Sequence, residues 1–254
     1  MSRIQIETLG KSFDGRQVLQ NISLTLEPGR SLALIGPTAA GKTVLLKCLV
    51  GLYAPDEGTI RVDGADVTSP DMRAETLDDR IGMLFQQNAL FDSLSVWENI
   101  GFRLMARGST SPAARARAEE LLPQVGLPIE TADLFPADLS GGMQKRVGFA
   151  RAIATAPDIL LLDNPTAGLD PILAARIDAM ISSLARKNGA TVISATSNMV
   201  GLTQGYDDIA VLHDGALRWH GDADRAEKDD NPWLRQLLSG SRAGPIETIN
   251  IEVQ

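Results

Sequence analysis

The segment Gly36-Pro37-Thr38-Ala39-Ala40-Gly41-Lys42-Thr43 carries the residue types that phosphate chemistry needs, in the order it needs them. Glycines let a loop bring its backbone N–H groups close to an anion. The helix that opens at Lys42-Thr43-Val44 adds the positive end of its dipole. Lys42 supplies a point charge for the outer phosphates, and the Thr43 hydroxyl is placed to ligate a magnesium ion. A second piece, Ile159-Leu160-Leu161-Leu162-Asp163, is an apolar strand ending in a carboxylate. That carboxylate could hold the same ion from the opposite side. A third, Ser140-Gly141-Gly142, opens another helix and makes a second anion site.

The first two segments match the Walker A and Walker B patterns. Together, in this order, they point to a nucleoside triphosphatase. Leu139-Ser140-Gly141-Gly142-Met143 resembles the LSGGQ signature of ABC ATPases, with Met143 in the last place. Through that resemblance Gln86 is similar to the Q-loop glutamine that senses γ-phosphate and Mg²⁺. Ala167-Gly168-Leu169-Asp170 resembles the D-loop, and Phe13 falls where the family stacks an aromatic ring on adenine. By itself Phe13 would read as a core phenylalanine.

The resemblance covers most of the chain. It implies a P-loop NTPase of the ABC ATPase fold, α/β in class. The expected architecture is a mainly parallel sheet core, an N-terminal antiparallel β subdomain and a helical subdomain. It implies MgATP held at a head-to-tail homodimer interface. Thr43, Asp163 and Gln86 would surround the metal. Phe13, the loop Gly36 to Val44, Ser140 to Met143 and Asp170 would contact nucleotide.

Met83 to Ile100 resembles the Q-loop region of Mla/Mce-type ATPases, which drive phospholipid or other lipid transport across the Gram-negative envelope. That subgroup implies a permease similar to MlaE, a lipid-binding MCE-domain partner and a small STAS-type subunit. It places the chain peripherally, at the cytoplasmic face of the inner membrane. Leu90, Phe91 and Leu94 are candidates for the groove that receives the permease, or else belong to the core.

Two positions depart from the family pattern. Asn164 stands where a glutamate normally polarises the attacking water, and Thr196-Ser197-Asn198 replaces the setting of the switch histidine. His213 and His220 do not align with that switch and read as exposed residues near a strand turn. Asn164 can orient a water but cannot take its proton, and a positioned general base contributes about 10²–10⁴ in rate. Three readings stay open. Hydrolysis could continue slowly, since phosphoryl transfer depends mainly on positioning and charge stabilisation. Another residue could compensate. Or the protein could clamp on ATP with little turnover. In each, Asn164, Ser197, Gln86 and Asp163 are the residues at the reaction centre.

These residues need elements to position them. Leu32 to Ile35, Ile159 to Leu162 and Val192 to Ala195 are short buried strands. They alternate with helical stretches at Lys42 to Val50 and Pro171 to Arg186, as in a parallel sheet covered by helices. Ile4, Ile6 and Ile22 to Leu26 alternate as half-buried strands around a turn at Phe13 to Arg16. Val96 to Val125 reads as two helices, with Ser111 capping the second and Pro112 at its first position. The chain divides into residues 1–240, with a helical subdomain over about 88–156, and an extension over 241–254. Gly240 to Pro245 reads as a linker-like break. Beyond it Ile249, Ile251 and Val253 alternate as a strand that could pair with a neighbouring subunit.

Composition fits this reading. The 254 residues are 44% hydrophobic, enough for a sizeable core. A net charge of −8 argues against a nucleic-acid binder. It also disfavours the repair and translation members of the family, which carry two cassettes or a long coiled-coil insertion. The one cysteine, Cys48, reads as a buried structural thiol. The N-terminus shows no basic segment followed by an apolar run, and no stretch approaches the roughly 20 apolar residues that span a bilayer.

Overall fold

The computed structural model describes residues 2–69, 77, 80–87, 89–199 and 202–247, without the side chains of 185, 187, 188 and 204. The proposed tail strand at Ile249 to Val253 and residue Asn88 lie outside the described residues.

Two sheets form the frame. β1 (Ile4–Phe13) and β2 (Arg16–Leu26) pair as an antiparallel hairpin, and β4 (Glu57–Val62) and β5 (Ala65–Asp66) extend it in the order β2-β1-β4-β5. The turn between β1 and β2 sits at Asp14-Gly15, both at positive φ, where the sequence expected it. The second sheet runs β10-β9-β3-β8-β7-β6. Its strands are β3 (Ser31–Ile35), β6 (Ile81–Leu84), β7 (Ile159–Asp163), β8 (Thr191–Ala195), β9 (Asp208–His213) and β10 (Ala216–Asp222). All neighbours are parallel except β9 and β10, which form a hairpin at one edge.

The unbroken apolar runs of β3, β7 and β8 follow from burial on both faces. Leu32 and Leu34, with Ile159, Leu161 and Ile193, face a core shared with the antiparallel sheet and with helix α1 (Lys42–Val50). Ala33 and Ile35, with Leu160, Leu162 and Val192, face a second core under the remaining helices. Cys48 is fully buried in the first of these, as expected.

The expected helical insert is present. α2 (Val96–Ala106) starts at a capping box in which the Ser95 N–H donates to Glu98 Oε2 at 2.8 Å. Asn99, fully buried, closes the turn before it. Its amide donates to the carbonyls of Phe91, Leu94 and Ser95 and accepts from the Phe91 N–H. α3 (Ser111–Gln124) begins one residue earlier than the sequence suggested. Thr110, in extended backbone, is the residue before the helix, so Ser111 is the first helical residue and Pro112 the second. α4 (Gly141–Ile153) returns the chain to β7. α5 (Pro171–Asn188), two residues longer than expected, covers the sheet.

Short helices α6 (Leu202–Gly205) and α7 (Ala223–Ala226) precede α8 (Pro232–Ser239). The Gly240 to Pro245 stretch does turn the chain, but it does not release it. The buried Gln236 side chain donates to the Ile246 carbonyl at 2.9 Å and accepts the Ile246 N–H at 2.7 Å. No helix among the described residues is long and apolar enough to cross a membrane.

Candidate functional site

Because β6, β7, β8 and β3 are adjacent and parallel, their carboxyl ends meet along one edge of the sheet, where open α/β sheets place their ligands. Gln86 follows β6, Asp163 ends β7 with Asn164 next, Thr196-Ser197 follows β8, and the Gly36–Thr43 loop follows β3. A cavity of about 700 Å³ at this edge is lined by Gly36, Thr38 to Val44, Gln86, Asp163, Asn164 and Ser197, with Arg16, Gln17, Asp214 and Gly215 at its rim. Eight of those lining residues form the loop and the start of α1, so backbone N–H groups make up much of its wall.

The loop is held by close packing. Gly36 adopts φ 152° with the Leu212 carbonyl oxygen only 2.0 Å from where a Cβ would stand. Gly41, at φ 103°, is constrained less tightly, with Leu19 Cδ2 at 2.8 Å and the Val18 carbonyl oxygen at 2.9 Å from where a Cβ would stand. α1 opens with no acidic residue and no side-chain cap, leaving its first N–H groups and dipole for an anion. The Lys42 ammonium donates to the carbonyls of Gly36 and Pro37, each at 2.7 Å. Burial pushes its pKa down, and Asp163 pulls the other way.

Asp163 is buried, which raises its pKa. The Thr43 hydroxyl, hydrogen-bonded to it, opposes that rise, as do Lys42, Lys47 and Lys145. Thr43 and Asp163 thus meet as the sequence expected. Among the described residues no group of three or more His, Cys, Asp or Glu side chains could hold a metal alone. One carboxylate and one hydroxyl suit magnesium, which keeps waters and shares itself with phosphate oxygens.

The two departures from the family pattern touch. Ser197 Oγ donates to Asn164 Oδ1 at 3.3 Å. Asn164 sits at φ 53°, a region Asn tolerates better than most residues. Its N–H donates to the Ala195 carbonyl at 2.8 Å. Beyond Ser197, the Asn198 side chain donates to Asp178 Oδ2 at 3.5 Å. Burial pushes the Asp178 carboxyl up to about 6, opposed by Asn198 and Tyr206.

Other predicted residues lie elsewhere. Phe13, at the hairpin tip, stands edge-on to Tyr53 with ring centroids 5.0 Å apart and does not line the cavity. Ser140, Gly141, Gly142 and Met143 also lie outside its lining. Ser140 caps α4, its Oγ accepting the Met143 N–H at 3.3 Å. Asp170 caps α5, accepting the N–H groups of Ile172 and Leu173. His220 is exposed on β10, whereas His213 is half-buried at the end of β9, beside Asp214. Phe91 and Phe102 stack at 4.7 Å along a second cavity of about 590 Å³ shared with Met83 and Phe85. Leu90 packs instead against the core.

Sequence reasoning missed Tyr53, the Asp178–Asn198 contact and Lys145. The Lys145 ammonium donates to the carbonyls of Ala167 and Asn164. No spacing in the sequence announces any of them.

A glycine loop feeding a helix, a buried strand-end carboxylate and a hydroxyl meeting it define a nucleotide-binding P-loop ATPase. Residues 19–167 match the family described as ABC transporter. The chain belongs to that family and is an ATP-binding subunit of the ABC type.

It is 37% identical over 246 residues to the sulfate/thiosulfate import ATP-binding protein CysA of Synechococcus elongatus, covering 97% of this chain and 69% of that one. It is 35% identical to the probable ribonucleotide transport ATP-binding protein mkl of Mycobacterium tuberculosis, covering 96% of this chain and 68% of that one. It is 34% identical to the chloroplastic protein TRIGALACTOSYLDIACYLGLYCEROL 3 of Arabidopsis thaliana, over 96% and 75%. The dimeric, post-hydrolysis structure of the ATP-binding cassette MJ0796, bound to ADP and Pi, superposes with a TM-score of 0.82. That match has 29% identity and covers 87% of this chain and 98% of that one.

Proposed function

We propose that the chain binds and hydrolyses MgATP as a head-to-tail homodimer and thereby drives phospholipid transport as an Mla/Mce-type subunit. The observation that carries the dimer is the separation of two phosphate-binding features. Lys42, Thr43 and Asp163 share one cavity, while the helix opening at Ser140 to Met143 lies outside it. In this reading the second anion site, set apart from the chain's own phosphate cavity, serves the nucleotide of another copy. The dimeric state of the MJ0796 cassette structure supports this arrangement.

Lys42 and the loop N–H groups bind the phosphates, and Thr43, Asp163 and Gln86 hold magnesium, which neutralises charge on the transferring group. Asn164, held by Ser197, orients the attacking water. Phe13, beside Tyr53, stacks on the adenine. Val44 and Asp170 complete the contacts.

The lipid cargo is supported by the Met83 to Ile100 segment and by the glycerolipid in the name of the Arabidopsis relative. The other relatives' names specify sulfate or ribonucleotides. The partners of this reading are an MlaE-like permease seated on the Phe91–Phe102 groove, an MCE-domain protein and a STAS-type subunit. It works from the cytoplasmic face of the inner membrane.

A second reading, an ATP-gated clamp with negligible catalysis, draws on Asn164, which cannot accept a proton. Steady-state phosphate release from the native chain, Lys42→Ala and Asn164→Glu, alone and with the permease, decides between them. Release well above the Lys42→Ala control is the expected result. Native release at the control level, with Asn164→Glu raising it about 10²-fold, makes the protein a clamp. Unchanged ATP affinity and release in Lys42→Ala would sink the P-loop assignment.

A further inference from the structure

Lys145 lies one turn into α4, the helix whose start carries Ser140 to Met143. It is half-buried, and its ammonium crosses to the loop behind β7. There it donates to the Ala167 carbonyl at 2.6 Å and to the Asn164 carbonyl at 3.2 Å. The Asn164 carbonyl also accepts the Ala167 N–H at 3.3 Å, so the lysine closes the same small turn. On its other side Asn164 is tied to β8 through the Ala195 carbonyl. A charge-assisted bond is stronger than a neutral one. Asn tolerates φ 53° better than most residues, and constraints from its surroundings hold it there. The sheet supplies one backbone constraint on residue 164 and a cation from the signature helix supplies another, while Ser197 holds its side chain.

We infer that Lys145 is a positioning residue. By gripping the Asn164 and Ala167 carbonyls it fixes the direction in which the Asn164 side chain enters the phosphate cavity, and it ties that direction to the helix bearing Ser140 to Met143. The inference rests on the reading that this cavity hydrolyses ATP and that Ser140 to Met143 face the nucleotide of a second copy. A shift of α4 as it closes on that nucleotide moves the loop beside the chain's own nucleotide. One chain then couples the two sites.

The test uses the full chain with Lys145→Met and Lys145→Arg, each in the native and the Asn164→Ala backgrounds. Misplacing a group by a fraction of an ångström to an ångström costs roughly 10- to 100-fold in rate. Lys145→Met is therefore expected to lower kcat at least about tenfold with KM for ATP little changed, and to lower the Hill coefficient towards one. Lys145→Arg, which keeps charge and donors, recovers most of the loss. In the Asn164→Ala background Lys145→Met has no further effect, because the side chain it positions is gone. An equal fold-loss in both backgrounds, or a raised KM with unchanged kcat, overturns the inference.

Amide exchange at Ala167 supplies a readout independent of turnover. It quickens in Lys145→Met if the lysine holds the turn, and unchanged exchange overturns the inference. Native phosphate release no higher than the Lys42→Ala control defeats the hydrolysis reading alone, and Ala167 exchange then decides the role of Lys145.

Discussion

The Gly36–Thr43 loop and the Asn164–Gly168 loop both leave a parallel strand at the same sheet edge, yet they are held by opposite means. The first is fixed by backbone packed against backbone, with the Leu212 carbonyl against Gly36 and the Val18 carbonyl against Gly41. The second is fixed by polar side chains from other elements: Ser197 on Asn164, Lys145 on two carbonyls, and Asn198 tied to Asp178 close by. A close-packed backbone tolerates no added atom, because neither partner can turn aside. A hydrogen-bonded loop tolerates exchange of its side chains at about 1 kcal/mol per neutral bond. The close-packed half carries the complete Walker A pattern, Gly36 to Thr43. The half held by polar side chains is where Asn164 and Ser197 stand, and the two are in contact.

The comparison breaks most visibly at Gly36. Gly36→Ala places a methyl group on the Leu212 carbonyl and is expected to abolish binding of a fluorescent ATP analogue. It should cost about 3 kcal/mol or more in denaturant unfolding. Retained binding would mean that packing does not fix the loop.

Ser197→Ala removes one bond to Asn164. Turnover is expected to fall about fivefold for roughly 1 kcal/mol, while the affinity for the ATP analogue stays as it was. A loss of affinity instead would show that the polar-held loop shapes binding as well.

The smallest effect concerns Asp178. Its folded pKa of about 6 lies above its unfolded value of 3.8. Between these two values the folded state binds more protons, so stability falls as pH rises through the window and the penalty is complete above about pH 6. The group is partly exposed, so screening leaves about 1 kcal/mol. Asp178→Asn removes this decline. The native-minus-variant unfolding free energy, measured from pH 4 to 7, should drop by that amount, and a flat difference would show that Asp178 is not desolvated.

Local chemistry was legible where the chain itself supplies it. The phosphate loop, the carboxylate ending β7, the strands around them and the two helices of the insert follow from residue type and spacing. The meeting of Thr43 with Asp163 was expected from the roles of the two Walker patterns, and the adjacency of α1 and β7 brings it about. The start of α3 was misplaced by one residue because Ser111 and Thr110 are both competent helix-starting residues, and only the backbone angles distinguish them. The Gly240 to Pro245 break looked like a release of the chain because nothing in its composition reveals that Gln236 reaches Ile246.

Sequence alone therefore determined the family, the phosphate-binding loop and the two unusual residues, since glycine φ values, apolar runs and helix starts are properties of consecutive residues. Tertiary structure decided what those residues do to one another. Asn164 and Ser197 meet because β7 and β8 are parallel neighbours in register, with Asp163 beside Ala195, so that both strands deliver their following residues to one edge. Lys145 reaches Asn164 because α4 packs back beside that edge. Such contacts join residues 33 and 19 positions apart, and their formation depends on strand order and helix packing, which are set by burial of the whole core rather than by any local pattern.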